Sequence, residues 1–492
     1  NYMISAMDDS VSGRYSGGVQ ADVISMSIGG AFGTGADDPF IDFFDRVVDN
    51  AALAGTLSVF AAGNDGNTFY AAGGPATAGS AISVASISVG ATDAGILVAG
   101  TTADGYYAAQ SSNSPVTSTV GPSPLHFVND GCQQADWQGF PANTIGLVDW
   151  AEVNGVFPCG STARQNAARA AATTYGQPLP IGILMFASVP SEFIGISCTS
   201  NGPNIPCLDI QQATGQLLLA NIATAHVTLD PSFVVAAADL ASTISGFSSR
   251  GPRHSDADGG IKPDMAAPGQ HNVYSAGSGT GSLAWGLGGT SMATPHVAGA
   301  AALLLSSDQY DNWTPYQIKA LLMNTANNDV YFGNNINGPR IGTSRGGSGI
   351  LDVHDMFNSS VIAFNSNYPE LVGVNFGQLE VPRGGGEITV NRSVTLMNRG
   401  AADAQYNLWI DLINDNNIGE FSVSPSSVTV PAWSSITVIV TITAQSNFGT
   451  QLPYNNGDPS VTFFQGDEAR HFLSEETANL IATPVTGGLV PL

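Results

Sequence analysis

The sequence predicts an α/β fold: a parallel-sheet domain, interrupted by an inserted domain and followed by an antiparallel β-sandwich. Three observations carry this. Residues 23–30 and 57–62 are short apolar runs joined by a segment of helical spacing, the strand, helix, strand order of a parallel crossover. Asn64, at the end of the second run, lies 291 − 64 = 227 residues before Ser291, far more chain than one crossover needs. Beyond Asp355, residues 388–396, 421–423, 428–430 and 436–443 alternate apolar with polar side chains between Gly, Asn and Pro turns, which suits antiparallel strands with one face packed and one wet.

Taken in order, residues 1–4 read as the interior of a helix that feeds the first strand. Asp8 and Asp9 fall on its exposed face. Asp38 and Pro39 open a helix with apolar positions at Phe40, Ile41, Phe44, Val47, Val48 and Ala51 and a stop at Gly55. The next strand delivers Asn64 at its carboxyl end, the place where open parallel sheets hold ligands. Residues 81–89 read as a further strand. Between about residues 101 and 229 the order is strand (143–150), helix (163–172), strand (180–186), strand (205–210) and helix (215–220). The chain returns to the sheet through residues 244–252 and 261–269. Behind Ser291 the residues are apolar on every side, as in a helix inside a core. Pro295 falls in its first turn, where a lost N–H costs little. Thr314 and Pro315 supply the N-cap and first position of another helix.

All four cysteines, Cys132, Cys159, Cys198 and Cys207, fall inside the 101–229 stretch. They allow three pairings. Spacing favours Cys132 with Cys159 and Cys198 with Cys207. Zinc ligation is the alternative, but there is no Cys-x-x-Cys pair and no histidine at ligand spacing beside them.

Composition bounds the function. The chain has 492 residues, 43% of them apolar, with a mean hydropathy of +0.10. That is ample for about three domain cores. The longest apolar stretches are too short or too interrupted to span a bilayer. The net charge is −25, and Lys262 and Lys319 are the two lysines. Such a field repels phosphates and anionic lipid, so neither nucleic acid nor a membrane is an expected partner. Spread acidity, abundant Gly, Ser, Thr and Asn, and four cysteines suit a secreted protein.

The chemistry centres on Gly289-Thr290-Ser291-Met292-Ala293-Thr294-Pro295-His296-Val297-Ala298-Gly299. A hydroxyl at the start of a buried helix lies among unpaired backbone N–H groups and the positive end of the helix dipole, a setting suited to the oxyanion of acyl transfer. This run resembles the nucleophile motif of the subtilases, the subtilisin-like serine peptidases. The resemblance covers about residues 1–105 and 230–357. It implies that Ser291 is the nucleophile and that Asn64, in Ala61-Ala62-Gly63-Asn64, donates to the oxyanion together with the Ser291 N–H. It also implies that Ser27-Ile28-Gly29 and Ala62-Gly63 flank the primary specificity pocket and pair with an extended polypeptide substrate. Asp264, in Lys262-Pro263-Asp264-Met265-Ala266-Ala267-Pro268-Gly269, matches a structural aspartate. The insertion resembles the protease-associated (PA) domain of larger subtilases, and the C-terminal part their fibronectin type III-like domain. The expected organisation is thus a catalytic domain in two parts, 1–100 and 230–357, around a PA domain at 101–229, with the sandwich at 358–492.

A subtilase runs Asp, His, Ser along the chain, and both earlier members precede the strand matched here by residues 23–30. None of His126, His226, His254, His271, His296, His354 and His471 has the context of a general base. His296 lies five residues beyond Ser291, about 500° around a helix, and so faces away as a packing residue. The expectation is a fragment truncated at its N-terminus, lacking the Asp and His and inactive alone. The alternative is a non-catalytic secreted pseudo-protease or binding protein that uses the PA and sandwich domains. A lipase or esterase is disfavoured because the serine lacks a Gly-x-Ser-x-Gly elbow. The resemblance implies no catalytic cofactor. Calcium is a structural ion in the family, but no site can be named: the Asp, Asn, Asn run within residues 414–417 is more often a turn than a calcium loop.

Overall fold

A computed structural model describes residues 2–33, 39–88, 90, 94–98, 106–111, 114–150, 159–187, 196, 198–199, 202–231, 240–253, 260–270, 273–279, 281, 284–332, 338–379, 386–414, 419–445, 475–485 and 489–492. The first strands are β1 (Val23–Met26), β2 (Leu57–Ala61) and β3 (Ile82–Ser88), and the first helices are α1 (Tyr2–Ser12) and α2 (Pro39–Leu53). Next come β4 (Ala94–Val98), β5 (Tyr106–Gln110), β6 (Val120–Phe127), β7 (Ile145–Trp150), α3 (Ser161–Tyr175), β8 (Gly182–Ala187), β9 (Cys207–Ile210), α4 (Gln212–Ala220) and β10 (His226–Asp230). The chain continues through β11 (Met265–Gln270), a hairpin of β12 (Val273–Ala276) and β13 (Ala284–Leu287), α5 (Thr290–Leu305) and α6 (Pro315–Asn324). It ends with β14 (Val361–Asn365), β15 (Glu387–Asn398), β16 (Ala404–Asn414), β17 (Gly419–Ser424), β18 (Ser427–Val430), β19 (Ser435–Gln445) and β20 (Thr477–Pro484).

The parallel sheet has the order β1-β2-β3-β11. Strand alternation sends neighbouring side chains to opposite faces, and both faces are covered. Leu57 and Val59 of β2 join Ala293, Val297, Ala301 and Leu304 of α5 and the apolar side of α6 in one core. Phe60 turns the other way, into a cluster with Met7 of α1 and Phe44, Val48 and Ala51 of α2. These are the elements expected from residues 1–62.

The insertion forms a closed barrel of seven strands, β10-β4-β5-β9-β8-β7-β6. The expected elements β7, α3, β8, β9 and α4 are all present; β4, β5, β6 and β10, which close the barrel, were not among those expected. Because β4 pairs with β10, Gly95 opposite Asp230, the barrel already starts ahead of residue 101. Ile145 and Leu147 of β7 face one core with Leu184, Leu208 and Leu229, while Val148 and Trp150 face another with Ala167, Ala168 and Ala171 of α3. Disulfides join Cys132 to Cys159 and Cys198 to Cys207, and no cysteine is free. This excludes zinc thiolate ligation.

The C-terminal residues form two antiparallel sheets, β14-β15-β19-β17 and β18-β16-β20. Val394 and Val438 of the first and Tyr406, Val428 and Ala482 of the second share a buried core. Strand β14 belongs to two cores at once: Val361 lies with the antiparallel sheets and Ile362 with α5 and α6.

Candidate functional site

The site forms where β1 and β2 end and α5 begins. Ser291 is the second residue of α5. Its hydroxyl donates to the Ser27 carbonyl at 3.4 Å, and the Ser27 hydroxyl donates to the Ser291 carbonyl at 2.7 Å. Asn64, just past β2, reaches the same helix end: its Oδ1 accepts the Thr290 N–H at 3.0 Å and the Thr290 hydroxyl at 2.9 Å. The fold therefore brings together Ser27, Asn64 and Ser291, which stand far apart in the sequence.

With Oδ1 engaged by two donors, the other end of the Asn64 amide is its N–H₂. A methyl group added to Gly289 would lie 3.6 Å from Asn64 Nδ2 and from Ser291 N, and 3.7 Å from Asn64 Oδ1. The Asn64 amide and the Ser291 N–H thus border one small space, which Gly289 leaves open by having no side chain. Preorganised N–H groups of this kind, at a helix N-terminus, stabilise developing negative charge.

The backbone at Asn64 is held by close approach. Gly63 has φ +110°, and a Cβ there would meet Ser249 Oγ at 2.6 Å, so this position needs glycine on both counts. The Ala62 N–H donates to Val84 O, its carbonyl accepts the Gly73 N–H, and the Gly63 carbonyl accepts the Ser249 N–H. These three backbone groups are thus already bonded inside the protein. Ser27 and Gly29 are exposed and Ile28 half-buried. Just beyond them Gly30 N–H bonds Gly74 O at 3.0 Å, joining the strand to the 70–80 loop.

That loop is supported by Thr77, whose hydroxyl donates to Asp45 of α2 at 3.2 Å. Burial pushes the Asp45 carboxyl up to about 7, against the Thr77 hydrogen bond and the charge of Lys262.

Among the described residues no histidine is hydrogen-bonded to Ser291. His126 packs edge-on to Phe140 within the insertion, His226 bonds Thr224 O and His354 pairs with Asp355. His296 is not a packing residue: it is exposed, and its Nδ1 lies 2.9 Å from Met292 O, one turn back along α5. The reason is that α5 buries one side only, with Pro295, Gly299, Ala302 and Leu303 also exposed. Uniform hydrophobicity gave the sequence no means of telling the two sides apart. His254, His271 and His471 lie outside the described residues. So do residues 415–417 and the Asn414 side chain, the stretch considered for calcium.

Asp264 has the structural surroundings expected of it. It is 1% exposed, accepts the Ser83 N–H at 2.8 Å, and pairs with Lys262 at 2.7 Å and Lys319 at 3.0 Å. Asp352, His354 and Asp355 have potential ligand atoms close together, but Asp352 Oδ1 already accepts two backbone N–H groups as a helix cap. Sequence reasoning missed Thr290, which orients the Asn64 amide; its only signal was adjacency to Ser291.

The model of the Subtilase family matches residues 3–347. The chain belongs to the subtilase family. Among its relatives, subtilisin-like protease SBT3.5 of Arabidopsis thaliana is 28% identical over 260 residues, 44% of this chain and 33% of that protein. Minor extracellular protease Vpr of Bacillus subtilis (strain 168) is 27% identical over 323 residues, 62% of this chain and 35% of that protein. The PII-type proteinase of Lacticaseibacillus paracasei is 26% identical over 521 residues, covering 92% of this subtilase chain and 25% of that protein. The alignments thus span about a third or less of these relatives' lengths.

Proposed function

We propose that this subtilase chain is the nucleophile-bearing part of a secreted serine endopeptidase. The observation that carries the reading is that the Asn64 amide and the Ser291 N–H both border the space beside Gly289, next to a serine hydroxyl at a helix start. Ser291 Oγ attacks a peptide carbonyl and the amine leaves; water then hydrolyses the acyl-enzyme. The Asn64 amide and the Ser291 N–H hold the oxyanion. Ser27-Ile28-Gly29 receives the substrate as an added strand, with Ala62 and Gly63 as the pocket wall.

The general base and its aspartate come from chain that precedes β1 in the full-length protein. Two features support this. Strand β1 is the edge of the parallel sheet, and α5 beside it exposes an apolar side that includes Leu303, 52% accessible. A sheet edge and an apolar helix side next to one another suit a further strand and helix. The 492 residues alone therefore bind peptides but cleave them poorly, because losing the base of such a triad costs about 10⁶ in rate.

The barrel acts as a PA domain that restricts access, and the C-terminal sheets as a fibronectin type III-like domain. The pocket segments carry no Lys or Arg, which favours a large apolar residue before the cut. The test is fluorophosphonate labelling of the protein expressed with its upstream coding sequence. Ser291 should be modified rapidly and Ser291→Ala not at all, while residues 1–492 alone react slowly. Rapid labelling of residues 1–492 alone would place the base within them and refute the division of labour.

A further inference from the structure

The loop that carries Asn64 is clamped by a second segment, and that segment is anchored in the C-terminal sheets. Phe247-Ser248-Ser249-Arg250-Gly251 runs beside residues 63–72. Gly66 N–H bonds Phe247 O (2.9 Å), Ser249 N–H bonds Gly63 O (3.0 Å) and Arg250 N–H bonds Gly66 O (3.1 Å). Tyr70 N–H bonds Gly251 O (3.0 Å) and Ala72 N–H bonds Arg250 O (2.8 Å). The Arg250 side chain is fully buried. Its guanidinium lies 4.1 Å from the Phe69 ring centre and donates to Asn67 Oδ1 at 3.1 Å.

The guanidinium also pairs with Glu475, more than two hundred residues away and just ahead of β20. Glu475 Oε2 accepts the Ser344 hydroxyl at 2.7 Å as well, and the Ser344 carbonyl accepts the Gly251 N–H at 2.7 Å. The next residue faces the other way: Glu476 Oε1 accepts the Gly419 N–H of β17 at 3.0 Å. One dipeptide thus grips the antiparallel sheets with one carboxylate and the Asn64 clamp with the other. A buried guanidinium is held in place by its paired charge, and its attachments shift when that charge is removed.

We infer that Glu475 is a positioning residue for Asn64. Through Arg250 it fixes residues 63–72, so the donor geometry beside Ser291 depends on the C-terminal sheets being docked. The inference rests on the reading of Asn64 as an oxyanion donor.

The test compares Glu475→Gln, which keeps the shape and removes the charge, with Glu476→Gln beside it. In the 492-residue chain, amide hydrogen exchange of residues 64–72 should speed up on the order of tenfold in Glu475→Gln, with β3 and α5 unchanged and Glu476→Gln like wild type. In the protein carrying its upstream segment, Glu475→Gln should lower kcat about tenfold with KM nearly unchanged, since only transition-state contacts are lost. Unchanged exchange, an equal rise across β3 and α5, or normal kcat despite faster exchange would each overturn the inference. Failure of wild-type Ser291 to label in the longer protein would instead sink the peptidase reading, leaving the exchange result to decide the clamp.

Discussion

Thr290 places both its N–H and its hydroxyl on one atom, the side-chain oxygen of Asn64, at 3.0 and 2.9 Å. The consequence is orientation. An amide held by its oxygen presents its nitrogen on the other side. Asn64→Ala in the longer protein should therefore slow Ser291 acylation by about 10² to 10³, the range seen when subtilisin loses its oxyanion asparagine. Thr290→Val keeps the backbone donor and loses the hydroxyl, and should slow it by roughly fivefold to tenfold. Thr290→Ser should be near normal. A stopped-flow acylation assay distinguishes the three, and an Asn64→Ala variant as fast as wild type would remove Asn64 from the chemistry.

Both lysines of the chain are buried around Asp264. Lys262 also donates to Ala81 O at 3.0 Å, and Lys319 to Gly79 O at 2.8 Å and Glu370 O at 2.9 Å. Burial, opposed by the Asp264 charge, pushes Lys262 down to about 7. Accessibility nevertheless controls its reactivity. An amine-reactive ester at pH 8 should acylate neither lysine in the native protein and both after unfolding, as read by peptide mass mapping. Asp264→Asn removes the carboxylate that both buried lysines share, breaking a buried ion pair from one side, and should cost about 3 to 5 kcal/mol.

The parallel crossover was legible because residues 23–62 pair a period of 3.6 with short apolar runs, and the nucleophile because its motif is long and contiguous. Pairwise relations across the fold were not. Nothing in the sequence joins Glu475 to Arg250, or Ser27 to Ser291, since each contact is made by folding and leaves no local pattern. Strands β4 and β5 escaped notice for a different reason: each is five residues long and neither alternates apolar with polar side chains. Cysteine spacing, in turn, favoured the pairing that is present, because Cys198 and Cys207 are only nine residues apart.

Asp45 makes stability depend on pH. It is 6% exposed, and its Oδ1 has no hydrogen bond among the described residues. Its folded-state pKa of about 7 lies above the ordinary carboxyl value of 3.8, so the folded state holds the proton more tightly than the unfolded one. Its contribution is therefore fully present below about pH 4 and is lost as pH rises through 7. Asp45→Asn keeps an acceptor for Thr77 and removes the titration. Its stability relative to wild type should improve by a few kcal/mol between pH 4.5 and pH 8, because one unit of pKa shift is worth about 1.4 kcal/mol. Urea unfolding at both pH values measures this, and a pH-independent difference would show that Asp45 does not titrate in this range.

The barrel should be removable without loss of the parallel sheet. Its first and last strands are neighbours, Gly95 opposite Asp230 and Ile96 opposite Leu229, so the chain enters and leaves at one place. That neck is fastened on the other side too, because Ser88 N–H bonds Thr243 O at 2.9 Å and Ser242 N–H bonds Ser88 O at 3.3 Å. A barrel closed on itself leaves no sheet edge to be satisfied by the rest of the protein. Replacing residues 91–239 with a short Gly-Ser linker should preserve the hydrogen-exchange protection of β2, β3 and α5. Residues 94–230 expressed alone should fold with both disulfides. In that isolated barrel, Cys132→Ser with Cys159→Ser should cost about 3 to 4 kcal/mol, the value for releasing a loop of this length. Loss of protection in β3 on excision would mean that the barrel is part of the cooperative unit of the sheet, and the insertion could not then act as a separable restriction on substrate access.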